Sequence, residues 1–193
     1  MAEHKIGGLL SSTILPKKEV WMVFAGMINQ DSVRSIFSMF STATQDGFTD
    51  IHCLFQSSGG VVGDGVALYN FFKTMPITVR LYNVGSICSI GVIAYLGAPN
   101  RVAAQSSTFM IHRAQSAALS LTSERMTAAA NSLVIDDARM EAILKAEIAL
   151  PETHWETHKV ADLWLDAEEG LDAGLITEIA PFAPPKGERI FFI

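Results

Sequence analysis

The stretch "TVRLYNVGSICSIGVIAYL", residues 78–96, sets a β-prone run beside a second apolar run that fits a buried helix, with "GSICSIG", residues 85–91, between them. A strand that turns into a helix over so few residues is the unit of an α/β fold. The turn carries two serines and a cysteine. A hydroxyl buried without a hydrogen-bond partner costs roughly 1–3 kcal/mol, so the segment either hides its polar groups or uses one of them.

Outward from this stretch the order repeats. Residues 20–24 and 51–55 read as buried strands with an amphipathic helical stretch over 32–43 between them, a βαβ unit. Residues 63–73 read as helix, 78–83 as strand, 90–96 as helix, and 101–104 and 108–112 as short strands. From 121 to about 149 no Pro or Gly interrupts an alanine-rich run in which Met126, Leu133 and Met140 recur every seven residues and Ile143, Leu144 and Ile148 extend the stripe. This predicts one helix of about 40 Å, longer than the core needs, so part of it is expected to project and pack on another subunit. Two helices bent near Asp136 and Asp137 are the alternative. Asp166 with Glu169 three positions on predicts a capped helix over 167–173, stopped by Gly174. The tail, 181–193, carries three prolines and ends Ile190-Phe-Phe-Ile193, an apolar end expected to dock on its own domain or a neighbour.

A chain of 193 residues, 49% of them hydrophobic, can bury a full core, and no Pro/Gly/Ser-rich linker divides it. The expectation is a single domain over 1–193, with 1–18 a separate N-terminal segment. A net charge of -6 with no Lys/Arg cluster argues against nucleic acid or an anionic membrane as partner. Cys53 and Cys88 each sit inside an apolar run, as buried free thiols do. No secretory leader pattern and no stretch of roughly 18 apolar residues is present, which makes a cytoplasmic location the default.

Three places can carry chemistry. Ser89 lies where a strand becomes a helix, its hydroxyl at a sharp bend near N–H groups at the positive helix end. It is not a G-x-S-x-G elbow, since Ile87 stands in place of the first glycine, and an ordinary helix start is the competing reading. Phe55-Gln-Ser-Ser-Gly-Gly-Val-Val62 ends a strand, where open α/β sheets place their sites, and adjacent glycines let backbone N–H groups reach an anion. Neither phosphate-loop spacing is present, and an ordinary glycine turn competes. Thr108-Phe-Met-Ile-His-Arg113 ends an apolar strand in a histidine that is either a core residue or a base. His154 and His158 stand four apart on a helix without an H-E-x-x-H pattern or an evident third ligand, which gives little support to zinc.

Together these segments resemble the ClpP family, the proteolytic subunit of the Clp protease, over about residues 19–179. Ser57-Ser-Gly-Gly60 is similar to the family's Ser-Pro-Gly-Gly, Gly85-Ser-Ile-Cys-Ser-Ile-Gly91 to its Gly-Gln-Ala-Ala-Ser-Met-Gly, and Met110-Ile-His112 to its Met-Ile-His. Asp162, four residues ahead of Asp166-Ala-Glu-Glu-Gly170 and followed by Gly174-Leu-Ile176, matches the family's aspartate; Asp166 and Asp137 are the alternatives.

The resemblance implies a ClpP/crotonase-like α/β fold of repeated ββα units with a protruding handle helix. It implies a serine endopeptidase in which Ser89 is nucleophile, His112 base and Asp162 the group that orients the imidazole, with the N–H groups of Gly60 and Ile90 as oxyanion hole. It further implies unfolded polypeptide or peptide substrates, a homo-oligomer of two stacked heptameric rings, an AAA+ unfoldase ATPase as possible partner, and no metal or organic cofactor.

The sequence departs from the family at Ser58, where the family has proline, and at Arg113-Ala-Gln-Ser116 in place of Gln-Pro and a Gly-Gly pair. Residues up to Pro16 do not resemble the family's pore loop. A catalytically poor structural subunit of a mixed ring, or a crotonase-fold enzyme acting on acyl thioesters, are the other functions the pattern allows.

Overall fold

The computed structural model describes residues 18–116 and 122–193; the N-terminal segment and the predicted first residue of the long helix, Leu121, lie outside the described residues. Strand β1 (Glu19–Ala25), helix α1 (Gln30–Gln45) and strand β2 (Asp50–Gln56) form the expected βαβ unit, with β1 and β2 parallel from Glu19 opposite Asp50 to Ala25 opposite Gln56. Helix α1 starts where the Asn29 side chain accepts the N–H groups of Asp31 and Ser32. Its stripe of Val33, Ile36, Phe40 and Ala43 is buried. Helix α2 (Val62–Thr74), strand β3 (Thr78–Asn83), strand β4 (Ser86–Cys88), helix α3 (Ile90–Leu96), strand β5 (Asn100–Ala103) and strand β6 (Thr108–Ile111) follow. Both faces of β2 are covered, which is why it reads as an unbroken apolar run rather than an alternating one.

Beyond helix α4 (Ser123–Glu147) come helix α5 (Glu152–Val160), strand β7 (Leu163–Asp166), helix α6 (Ala167–Asp172), strand β8 (Glu178–Ile179) and strand β9 (Ile190–Phe192). A six-stranded parallel sheet runs in the order β8-β5-β3-β2-β1-β9, and β4, β6 and β7 make a small second sheet. The core that the large sheet shares with α1 and α2 is aromatic: Phe24 meets Phe55 at 5.1 Å between ring centroids, and Phe40 meets Phe72 at 5.3 Å. Every residue of α3 is buried, as expected of a helix that is apolar all round. No helix among the described residues is long and apolar enough to cross a membrane.

Helix α4 is continuous through Asp136 and Asp137 and has two characters. Met140, Leu144 and the following Ile148 are buried, and Tyr69 of α2 donates a 2.6 Å hydrogen bond to Glu147, which also pairs with Lys73. Its first half projects, with Met126, Val134 and Ile135 each about 60% exposed or more. The Asp166–Glu169 capping box and the left-handed Gly174 bound α6 as predicted. Of the two docking options for the tail, the chain's own sheet is the one taken: β9 pairs parallel with β1, setting Met22 opposite Phe191.

Leu144 is 1% exposed and Val134 is 65% exposed. Leu144→Ala is expected to cost about 2–5 kcal/mol in urea unfolding, and Val134→Ala, measured on dissociated chains, less than about 0.5 kcal/mol. Equal costs would contradict the division of α4 into a docked and a projecting half.

Candidate active site

The site begins with Asn83 at the end of β3. This buried side chain donates to the Thr108 carbonyl (2.9 Å) and accepts the Gly85 N–H (3.0 Å), so it ties the turn before β4 to the start of β6. Strands β4 and β6 then run parallel, with Cys88 opposite Met110. That register brings the two residues that follow the strands, Ser89 and His112, to the same end of the small sheet.

At Ser89 the backbone swings into the left-handed region, φ 58° and ψ −133°; among the described residues it is the one non-glycine with positive φ. Such a conformation costs about 1–3 kcal/mol and persists only where the surroundings over-determine it. Here they do. The Ser89 N–H donates to the Met110 carbonyl (2.7 Å), the Cys88 N–H donates to the Ser57 carbonyl (2.8 Å), and α3 starts at the next residue. Ser89 occupies the helix-start position foreseen as the competing reading, yet its side chain makes no capping hydrogen bond. Its Oγ lies 2.7 Å from Nε2 of His112 instead.

The glycine pair closes the other side. The Ile28 N–H donates to the Gly59 carbonyl and the Val61 N–H donates to the Ile28 carbonyl, each at 2.9 Å, a bridge that does not use the N–H of Gly60. Both glycines have positive φ, 98° and 154°. A Cβ on Gly59 would stand 2.6 Å from that of Ser89, and one on Gly60 would stand 2.0 Å from the Ile28 carbonyl oxygen, so neither position admits a side chain. Ile90, which follows Ser89, is the first residue of α3, where N–H groups lack intrahelical partners.

Nδ1 of His112 meets Nε2 of Gln115 at 3.1 Å. Asp162, the residue before β7, shares with His112, Gln115 and His158 the lining of a cavity of about 170 Å³. Asp166 caps α6, its carboxylate accepting the Glu169 N–H at 2.8 Å. Asp137 is held by Arg113 (Nη2 to Oδ2, 2.6 Å) and accepts the Ala114 N–H (2.7 Å), so it clamps the segment after His112 onto α4. Sequence reading missed the clamp and the Gln115 contact. The departure at Arg113-Ala-Gln-Ser116 marked the place without indicating the partners.

Beside Ser89 opens a cavity of about 290 Å³ whose apolar wall is Ile93, Ile111, Met140 and Leu144, with His158 and Glu141 among its polar lining. His158 is buried on α5, and its Nδ1 has no hydrogen-bond partner among the described residues. Burial holds its pKa below the usual imidazole value, against the pull of Glu141 and Asp137. Cys53 is fully buried and its thiol is pushed up to about 12; Cys88, next to the serine, is partly exposed and also raised, chiefly by burial. Among the described residues no three His, Cys, Asp or Glu side chains cluster as a metal site would require.

A hydroxyl on a strained strand-to-helix turn, an imidazole within hydrogen-bond reach and a glycine pair against the same serine form the constellation of acyl-transfer enzymes. Residues 11–182 match the family model described as Clp protease, and the chain belongs to that family. It is 26% identical over 171 residues to the ATP-dependent Clp protease proteolytic subunit of Paracoccus denitrificans, covering 88% of this chain and 84% of that one. It is 29% identical over 168 residues to the corresponding subunit of Streptococcus equi subsp. equi, covering 84% and 85%. A solved structure of a point mutant of ClpP1 from Listeria monocytogenes superposes with a TM-score of 0.72 over 89% of this chain and 96% of that one, at 21% identity, so the fold is ClpP-like. Kinship with these proteolytic subunits supports Clp protease function, a hydrolase, for this chain.

Because the folded chain resists protonating His158 and the unfolded chain does not, the unfolded state binds the additional proton in acid. Stability present at neutral pH is therefore lost as pH falls through about 6.5. His158→Gln is expected to flatten that part of the profile, read as urea midpoints between about pH 7.5 and 5.5. An unchanged slope would contradict the neutral, buried assignment of this ring.

Proposed function

We propose that the chain is a serine endopeptidase of the ClpP type, folded as a single domain, that hydrolyses peptide bonds of unfolded proteins or short peptides inside an oligomeric chamber. The observation that carries the reading is the 2.7 Å contact between Ser89 Oγ and His112 Nε2 at the strained head of α3. In the reaction Ser89 attacks the scissile carbonyl while His112 takes its proton. The N–H groups of Gly60 and Ile90 receive the negative oxygen, and the Gly59 and Gly60 contacts against Ser89 and Ile28 support that placement. Asp162, once at Nδ1, stabilises the imidazolium. His112 then returns the proton to the leaving amine, and water repeats the cycle on the acyl-enzyme. The apolar wall of the 290 Å³ cavity suits an unbranched or aromatic side chain beside the cleaved bond.

The exposed Met126, Val134 and Ile135 on the projecting half of α4 support packing between subunits; the arrangement we propose for them, two stacked heptameric rings, rests on the resemblance to the family. The relatives' names, ATP-dependent Clp protease proteolytic subunit, support an ATP-consuming partner, which we take to be an unfoldase of the AAA+ type. No metal or organic cofactor enters the scheme. One observation favours the second reading, a catalytically poor subunit of a mixed ring: the group on Nδ1 is an amide rather than a carboxylate.

A fluorophosphonate probe is expected to modify Ser89. Ser89→Ala abolishes the labelling, and His112→Ala lowers its rate about 10²-fold or more. A folded protein that stays unlabelled at Ser89 would overturn the peptidase reading. Val134→Glu combined with Ile135→Glu is expected to dissociate the assembly in light scattering, and a wild-type monomer at working concentration would remove the chamber.

A further inference from the structure

We infer that Gln115 is a positioning residue that competes with Asp162 for Nδ1 of His112 and, in the resting chain, holds the imidazole in the tautomer that cannot deprotonate Ser89. This deepens the peptidase reading and rests on it.

A neutral imidazole carries one N–H, so the partner of one ring nitrogen decides the state of the other. The Nε2–H of Gln115 donates to Nδ1 across 3.1 Å. Nδ1 is then the acceptor, the ring proton sits on Nε2, and at 2.7 Å that proton points at Ser89 Oγ. The lone pair the reaction requires lies on the far side of the ring. A base needs the reverse: Nε2 bare toward the hydroxyl and Nδ1–H donating to an acceptor. The carboxylate of Asp162 is acceptor-only and forces that state; a glutamine amide offers a donor and an acceptor, and carries no charge to stabilise an imidazolium.

The position of Gln115 is not left to a loose loop. Asp137 on α4 accepts the Ala114 N–H at 2.7 Å and pairs with Arg113, which anchors the two residues just before Gln115. Gln115 itself is exposed, and the cavity of about 170 Å³ it shares with His112 and Asp162 leaves room for its side chain to withdraw and for the carboxylate to approach. When Asp162 replaces Gln115, the proton moves from Nε2 to Nδ1 through solvent, and no other bond changes.

The test uses the full chain and the rate of fluorophosphonate labelling of Ser89 as a function of pH, with circular dichroism to confirm folding; the exposed position makes substitution at Gln115 tolerable. Gln115→Ala is expected to raise the rate roughly three- to tenfold at neutral pH, the range one net hydrogen bond supports. Adding Asp162→Asn to that variant removes the gain. Gln115→Glu places an acceptor-only group at Nδ1, so it restores labelling in the Asp162→Asn background. It also moves the acid limb of the pH profile upward, because a carboxylate beside the ring favours its charged form. The other charged or titratable groups facing this site, Arg113, Asp137, Glu141, His158, Lys159 and Asp162, are the same in the Gln115→Glu single variant, so the displacement reports Gln115. A rate that Gln115→Ala leaves unchanged or lowers, or an acid limb that Gln115→Glu does not move, would overturn the inference while Ser89 labelling preserves the peptidase reading. Absence of Ser89 labelling in every variant would overturn both.

Discussion

The left-handed backbone of Ser89 is the constraint to which the rest of the site is fitted. A serine does not hold φ 58° unless it is pinned, and three contacts pin it: the carbonyl of Met110, the bare face of Gly59 and the first turn of α3. Each belongs to a different stretch of chain, so the parallel pairing of β4 with β6 and the crossing of β2 onto the small sheet must all form before the hydroxyl reaches its place. The result is a hydroxyl lifted off the helix it begins and turned toward His112, where an ordinary cap would have spent it on a backbone N–H.

Around that point two kinds of order meet. The parallel sheet carries the glycine pair at the end of β2, whose two faces are covered, and Ser57 there joins it to β4, the strand that delivers Ser89. The imidazole side is built instead on the small sheet and on α4, whose buried half lines the cavity beside Ser89 and whose Asp137 holds the segment after His112. Since the other half of α4 projects with three large apolar side chains exposed, whatever covers that half acts on an element that also anchors Gln115's neighbours. Ser89 is held from both sheets, and the segment after His112 is held through the projecting helix.

Most of the large architecture was legible because it depends on local pattern. The βαβ order, the length of α4 and the Asp166–Glu169 cap follow from apolar periodicity and capping chemistry, and each lies close to where those signals put it. Strands β4, β7, β8 and β9 were not foreseen. They span two to four residues and exist only through their partners, so their own sequence carries no period long enough to read. In the site, Ser89, His112 and the glycine pair were legible through their spacing within a known family pattern. The Nδ1 partner was not: Gln115 reaches the ring from an irregular segment whose course is set by Arg113 and Asp137, 24 residues apart in the chain, and no local signal encodes that pairing. The neutral state of buried His158 likewise depends on packing between α4 and α5.

The most direct measurement is a crystal structure of the chain treated with a peptide boronate. The account predicts a tetrahedral boron on Ser89 Oγ, with one of its oxygens within hydrogen-bond distance of the N–H groups of both Gly60 and Ile90, and His112 Nε2 still beside Oγ. A boronate bound elsewhere, or attached to Ser89 with that oxygen directed away from the two backbone donors, would contradict it.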